Sequence, residues 1–181
     1  MLDEFEIERL AGPPPHSFDC GRDEQNRFLR ERAWPDQQAL LSTTYLLADG
    51  NELAGFATVC MSGIGLDRRE RGPAIRYRDV SALKLAQLGV DRGYQGHGIG
   101  RDTVSFAIDL AQWLGRQAAC RYVILDAQPD LEEWYGRIGF TRNVNMDCRP
   151  RSRPCNPLFK GARVRCRERV GQRFDWIRRR A

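Results

Sequence analysis

No apolar run in the sequence approaches the roughly 20 residues that a membrane-spanning helix needs. The first residues, Met1-Leu2-Asp3-Glu4-Phe5-Glu6, are acidic where a signal peptide would be basic. Neither membrane insertion nor classical export is expected. Histidine is almost missing: His16 and His97 are the whole supply, and both lie far in sequence from the C-terminal cysteines. The six cysteines, Cys20, Cys60, Cys120, Cys148, Cys155 and Cys166, never fall into a CxxC spacing. A zinc site from Cys148, Cys155 and Cys166 would match no standard ligand spacing, so no metal is expected. A chain of this length forms a core without disulfide staples, which points to reduced thiols in a cytoplasm. Internal repeats are also missing.

What is present is globular. The 181 residues are 41% hydrophobic and 29% charged, enough apolar material for one domain and too much for wholesale disorder. The net charge of +5 hides an asymmetry. Residues 149–181 hold twelve of the 29 Lys and Arg but only Glu168 and Asp175 of the 24 acids, so this end is +10 and the remainder −5. The division expected from composition is therefore a catalytic or binding body over 1–148 and a basic, arginine-rich extension over 149–181. Phe159, Phe174 and Trp176 lie among the arginines of that extension. Arginine with aromatics suits RNA backbones and stacked bases; the same composition, with Pro150, Pro154 and Pro157, equally suits a solvated tail.

Residues 5–10 alternate like an edge strand and end at Gly12-Pro13-Pro14-Pro15, which cannot continue it. Asn26, Phe28, Leu29 and Ala33 recur at helical spacing up to Trp34-Pro35. Residues 43–48 and 53–60 are strand-like around the turn Asp49-Gly50-Asn51-Glu52, which predicts a hairpin. Residues 62–82 are rich in Gly, Arg and Asp and are expected to form a surface excursion. A strand over 82–90, a helix over 99–114 ending at Gly115, a strand over 122–127 and a short helix over 130–137 follow. Strand, glycine turn, helix, strand is a βαβ unit inside a mixed sheet, an α/β (α+β) class of fold.

The sharpest local feature is Gln95-Gly96-His97-Gly98-Ile99-Gly100, set between an apolar strand and a helix. Residues without Cβ bulk at a helix start aim backbone N–H groups and the positive end of the helix dipole at an anion such as pyrophosphate. The alternative is a plain glycine turn. No Gly-Lys-Ser/Thr follows, which excludes a P-loop, and the glycine spacing is wrong for a dinucleotide fingerprint.

The hexapeptide resembles the Q/R-x-x-G-x-G/A signature of the GNAT acetyltransferases, in which it binds the pyrophosphate of acetyl-CoA. Leu88 to Gln95 is similar to the strand leading into that loop, and Trp134-Tyr135-Gly136-Arg137-Ile138-Gly139-Phe140 resembles the family's Y-x-x-x-G-F segment. The likeness runs from Phe5 to Asn145. Phe18-Asp19-Cys20-Gly21 followed by Asn26 and Phe28-Leu29 is similar to the branch that includes tRNA-acetylating toxins. The resemblance implies a splayed mixed sheet flanked by helices, as in acyl-CoA N-acyltransferases, and acetyl-CoA as co-substrate. Contacts to it are implied from Leu88, Val90, Gln95, Gly96, His97, Gly98, Ile99, Gly100, Arg101 and Gln128. Gln128 stands where many relatives carry an asparagine, Gly89 where many carry a bulkier residue, and residues 149–181 match nothing in the family.

The resemblance also implies roles. Tyr135 would protonate the leaving thiolate, and the backbone N–H of Val90 would polarise the thioester carbonyl; without the motif, Tyr135 reads as a packed aromatic beside Trp134. For a general base the sequence offers Asp126, Glu132 and Glu133, each equally readable as a solvated charge or a helix cap. His97 could touch phosphate or simply face solvent. An α-amine with a pKa near 7.7–8.0 needs less help to lose its proton than a lysine near 10.4, so the lack of an obvious base leans towards an α-amine. The expected activity is therefore N-acetylation of a primary amine, in the toxin-like branch the α-amine of aminoacyl-tRNA. Expected partners are charged tRNA, a ribbon-helix-helix antitoxin and a second copy of the chain in a homodimer. The alternatives are a small-molecule or protein N-acetyltransferase and a non-catalytic acyl-CoA- or RNA-binding module.

Overall fold

The computed structural model describes residues 5–142, except 16, 67–70, 72 and 74, together with the strand 158–160. Cys148, Cys155 and Cys166, considered and set aside above as zinc ligands, lie outside the described residues, as do His16 and most of the basic extension. Seven strands make one mixed sheet: β1 (Glu6–Arg9), β2 (Thr43–Asp49), β3 (Glu52–Gly65), β4 (Asp79–Val90), β5 (Tyr122–Asp126), β6 (Thr141–Arg142) and β7 (Leu158–Lys160), in the order β1-β2-β3-β4-β5-β7-β6. Among the described residues are the α-helices α1 (Asp23–Glu31), α2 (Ala33–Gln38), α3 (Ile99–Ala118) and α4 (Glu132–Arg137). No described helix is long and apolar enough to cross a membrane.

β1 to β4 run antiparallel, and β4-α3-β5 closes the expected βαβ unit with a parallel pair. One face of the sheet is covered by α3 and α4. Val104, Phe106, Ala107, Leu110 and Ala111 of α3 meet Leu83, Leu85, Val123 and Leu125, and Tyr135 and Phe140 join the same cluster. The other face takes α1 and α2, where Leu29 and Ala33 pack with Leu10, Phe18 and Phe56. Gln37 fastens α2 to the sheet: its side-chain amide donates to the carbonyl of Leu10, and its oxygen accepts from the N–H of Thr44 at 2.9 Å. Inside the sheet the hydroxyls of Thr44 and Thr58, opposite each other on β2 and β3, share a hydrogen bond of 2.8 Å, so neither is a buried orphan.

Four boundaries differ from the sequence expectation. The excursion over 62–82 is shorter, because β3 continues to Gly65 and β4 starts at Asp79. Ile64 and Ala82 belong to an apolar cluster with Leu66, Tyr122 and Ile124, which extends the hairpin past its glycines. The first helix breaks at Arg32, and Pro35 sits in the first turn of α2, where its missing N–H forfeits no helical bond. α3 does not end at Gly115 but runs to Ala118, and Ala119 takes the positive φ of 56° beyond it. A Cβ on Gly115 would lie 3.1 Å from the carbonyl oxygen of Cys120, so this glycine admits the chain returning towards β5. Finally, β7 comes from beyond residue 148 and lies between β5 and β6, so the basic extension contributes a strand to the sheet of the body.

Gly89 has a packing reason. A Cβ there would stand 2.5 Å from the Phe56 ring and 3.2 Å from that of Phe18, two rings that meet edge to face with centroids 5.4 Å apart. Phe56 is fully buried and has no room to retreat. Gly89→Ala should therefore lower stability by about 1–3 kcal/mol, as overpacked core sites do. Denaturant unfolding of the two proteins measures it; equal midpoints and slopes would show that the rings yield freely.

Candidate active site

β4 and β5 are paired only as far as Leu85 and Leu125, although β4 continues to Val90. At the same place β4 bulges: Gln87 pairs with Thr58 and Leu85 with Val59, so Ala86 has no counterpart on β3. β4 therefore leaves β5 and opens the sheet. Asp91 donates its N–H to the carbonyl of Ala54 at 2.9 Å. Residues of an antiparallel ladder alternate between the two edges of the strand, so Leu88 and Val90 turn their backbone groups to the edge that β5 has left. The Val90 carbonyl there accepts the side-chain N–H of Gln95 at 3.0 Å.

The helix start after β4 has the backbone that its glycines suggested. Gly96 and Gly98 take φ of 81° and 86°, and Gly98 is the left-handed N-cap of α3. No side chain caps this helix, which leaves its first N–H groups aimed outward beside the positive end of the dipole. Gly100 lies against Trp134, where a Cβ would be 3.6 Å from the indole. Ile99 is buried with Leu47 and Ala54, so it anchors the loop through its side chain and offers only its backbone outward. His97 is exposed.

Gln95 does more than begin the motif. Its amide donates to the carbonyls of both Val90 and Cys20, at 3.0 Å each, which ties the loop to the end of β4 and to the segment before α1. That segment is fastened further. Asp91 accepts from the N–H groups of Asp19 at 3.0 Å and Gly93 at 2.9 Å, and the N–H of Arg92 donates to the Asp19 carbonyl at 3.0 Å. The Asp19 carboxylate accepts from the Gly21 N–H at 2.8 Å and the Asn26 side chain at 2.7 Å, bonds that hold its pKa below the usual carboxylate value. Asn26 in turn accepts from the N–H of Cys20 at 3.0 Å. The Phe18-to-Asn26 string is thus a buttress for the glycine loop. Asp91 was not singled out from sequence, since an acid at a strand end reads as an ordinary surface charge.

A cavity of about 890 Å³ opens along the loop, lined by Val90, Gln95, Gly98, Gly100, Arg101 and Trp134 among others. That volume is in the range of pockets that enclose whole ligands. The open glycine cradle, the uncapped helix and the Arg92 and Arg101 side chains at this cavity fit a polyphosphate. A smaller, more polar cavity of about 160 Å³ lies beyond, with Glu24, Gln87, Asp126 and Gln128 in its wall. Leu88 and Tyr135 line both. Gln128, expected at the cofactor, thus belongs to the smaller cavity. Of the three candidate bases, Asp126 lines the smaller of these two cavities, held by Lys84 at 2.7 Å, and neither Glu132 nor Glu133 lines either one; Glu133 is exposed and paired with Arg137.

Tyr135 is 5% exposed and meets Trp134 and Phe140 edge to face, with centroids 4.8 and 5.8 Å away. It is both packed aromatic and cavity wall. Burial pushes its phenol up to about 12, opposed by the charge of Arg22. The proton therefore stays on it throughout the neutral range.

The model of the acetyltransferase (GNAT) family matches residues 5–140. The chain belongs to the GNAT acetyltransferases. Its donor is accordingly acetyl-CoA, and its chemistry is N-acetylation. Solved structures agree in fold. A tyrosine-to-phenylalanine variant of the toxin AtaT, bound to acetyl-CoA and the C-terminus of the antitoxin AtaR, is 21% identical over 90% of this chain and 94% of its own, with a TM-score of 0.72. A tyrosine-to-phenylalanine variant of KacT is 22% identical over 89% and 95%, with a TM-score of 0.75. AtaT complexed with acetyl-methionyl-tRNAfMet is 22% identical over 86% and 93%, with a TM-score of 0.74. No curated protein sequence matches the chain.

In this GNAT protein the loop is tested through Gly98. Its φ of 86° disfavours any side chain, and aspartate would add negative charge to a cradle suited to phosphate. Calorimetry should show acetyl-CoA binding in the parent and a loss of tenfold or more in Gly98→Asp; equal affinities would remove the phosphate assignment.

Proposed function

We propose that this acetyltransferase acts on the α-amine of aminoacyl-tRNA, with acetyl-CoA in the larger cavity and the amine arriving through the smaller one. The observation that carries the reading is the meeting of the two cavities at Tyr135 and at the freed edge of β4. There, in this reading, the N–H of Val90 stabilises the charge that develops on the thioester oxygen. Tyr135, protonated and facing both cavities, supplies the proton for the departing thiolate. The loop Gln95 to Gly100 and Arg101 hold the pyrophosphate, Leu88 and Val90 the pantetheine arm beside β4.

The choice of acceptor rests on three supports. The polar cavity suits an amine, and Asp126, fixed by Lys84, stands in its wall with Glu24 as a second carboxylate. An α-amine is already appreciably neutral at pH 7 and asks little of such a base. AtaT, similar in fold over most of both chains, is seen with acetyl-methionyl-tRNAfMet and with AtaR. By the same reading the protein is a toxin with an antitoxin partner of the ribbon-helix-helix kind, and the arginines beyond β7 neutralise tRNA phosphates.

Labelled acetyl-CoA offered with charged tRNAs, polyamines and peptides should mark the aminoacyl group of tRNA. Label found only on polyamines or peptides would overturn the acceptor. Tyr135→Phe should fold and bind acetyl-CoA as the parent does but turn over about 10²- to 10⁴-fold more slowly. Because the folded phenol ionises above the ordinary value near 10, parent kcat should show no loss of this proton below about pH 10.

The extension is tested by two truncations. Ending the chain at Gly161 removes eight arginines but keeps β7, and should weaken tRNA binding and flatten its salt dependence while leaving acetyl-CoA binding intact. Ending it at Cys148 also takes β7 from between β5 and β6 and should lower the melting temperature. Unchanged tRNA affinity in the first variant would make the arginines a solvated tail.

A further inference from the structure

Arg22, Leu88, Leu131 and Tyr135 line both cavities, and Arg22 alone among them is charged. Arg22 occupies the N-cap position of α1, and its guanidinium donates to the carboxylate of Asp130, in the turn that leads into α4. The ion pair joins two elements that both contribute to the walls around Tyr135. Other charges face these cavities, Glu24 and Asp126 in the smaller and Arg92 and Arg101 in the larger. Arg22 shares both cavity walls with Tyr135, and its charge opposes the effect of burial on the phenol.

The chemistry sets a difficulty. An ordinary thiol ionises near 8.5, so a buried phenol at about 12 gives its proton to a thiolate against a gradient of roughly three powers of ten. The ring of the tyrosinate formed would lie against Trp134, Phe140 and Leu131, whose carbon faces stabilise a negative charge poorly. The value of about 12 already contains the opposing charge of Arg22, so without this cation the gradient would be steeper, and guanidinium stays charged at every working pH.

We infer that Arg22, held by Asp130, is the counter-charge for the tyrosinate that Tyr135 becomes on protonating the departing thiolate. This rests on the reading of Tyr135 as proton donor. In the step the amine nitrogen bonds to the acetyl carbon, and the carbon–sulfur bond breaks with its electron pair on sulfur. The phenol proton passes to that sulfur, leaving a negative oxygen on Tyr135 beside Arg22. The proton shed by the acylated nitrogen returns to Tyr135 through water, so the enzyme ends as it began. Asp130 is a positioning residue: it keeps the guanidinium from swinging out to solvent.

The test uses the full chain with saturating acetyl-CoA. Arg22→Gln should lower kcat at least tenfold without changing acetyl-CoA affinity, and Arg22→Lys should recover part of the loss. Asp130→Asn should show a smaller fall. The absorbance of tyrosinate, taken as the difference from Tyr135→Phe, should appear at higher pH in Arg22→Gln than in the parent. In a Tyr135→Phe background, Arg22→Gln should cost nothing more, because no tyrosinate forms. A slow Tyr135→Phe with a fully active Arg22→Gln would overturn the counter-charge and leave the proton donor standing, as would losses that multiply in the double variant. A fully active Tyr135→Phe would overturn both.

Discussion

The parting of β4 from β5 after Leu85 and Leu125 is the constraint on which the site depends. Sheet backbone is normally closed to chemistry because each N–H and C=O is taken by the neighbouring strand. Here β4 runs on to Val90 without β5, and the bulge at Ala86 bends it away from that neighbour. One edge of Leu88 and Val90 is thereby freed in the middle of a folded domain. The larger cavity forms along that edge, the smaller one on its far side, and Tyr135 stands in both walls.

An opened sheet needs support, and the chain supplies it from the segment before α1. Asp91, Asp19, Asn26 and Gln95 exchange hydrogen bonds across the end of β4. Much of this network is backbone N–H to carboxylate or amide oxygen, which fixes direction as well as distance. Its effect is to hold the loop, whose three glycines have no side chains of their own to fix them, in one conformation. The freedom that lets Gly96 and Gly98 adopt positive φ would otherwise be spent on motion. Phe18 and Phe56 press on β4 from the same side, at the glycine that admits them.

Part of this was legible in the residues. The glycine loop between a strand and a helix, the hairpin at Asp49-Gly50 and the βαβ order are local patterns, set by turn chemistry and hydrophobic period. The departures come from contacts that no local pattern displays. Residues 62–82 looked polar and glycine-rich, yet Ile64 and Ala82 find partners in Tyr122 and Ile124, which lie far along the chain. Gly115 looked like a helix end, but its role is to let Cys120 pass. Phe159 and Lys160 looked like members of a basic tail and are members of a strand between β5 and β6.

By itself the sequence determined the hairpin, the βαβ order, the phosphate-suited loop and the identity of Tyr135 as a motif tyrosine, since each depends on residues close together in the chain. Only the tertiary structure decided that Tyr135 faces two cavities, that Arg22 reaches Asp130 beside it, and that Gln128 and Asp126 belong to the smaller one. Arg22 and Asp130 are 108 positions apart. Nothing in the spacing of residues so distant marks them as a pair. Their meeting depends on where α1 and α4 dock against a sheet whose strands have separated, and that is a property of packing rather than of pattern.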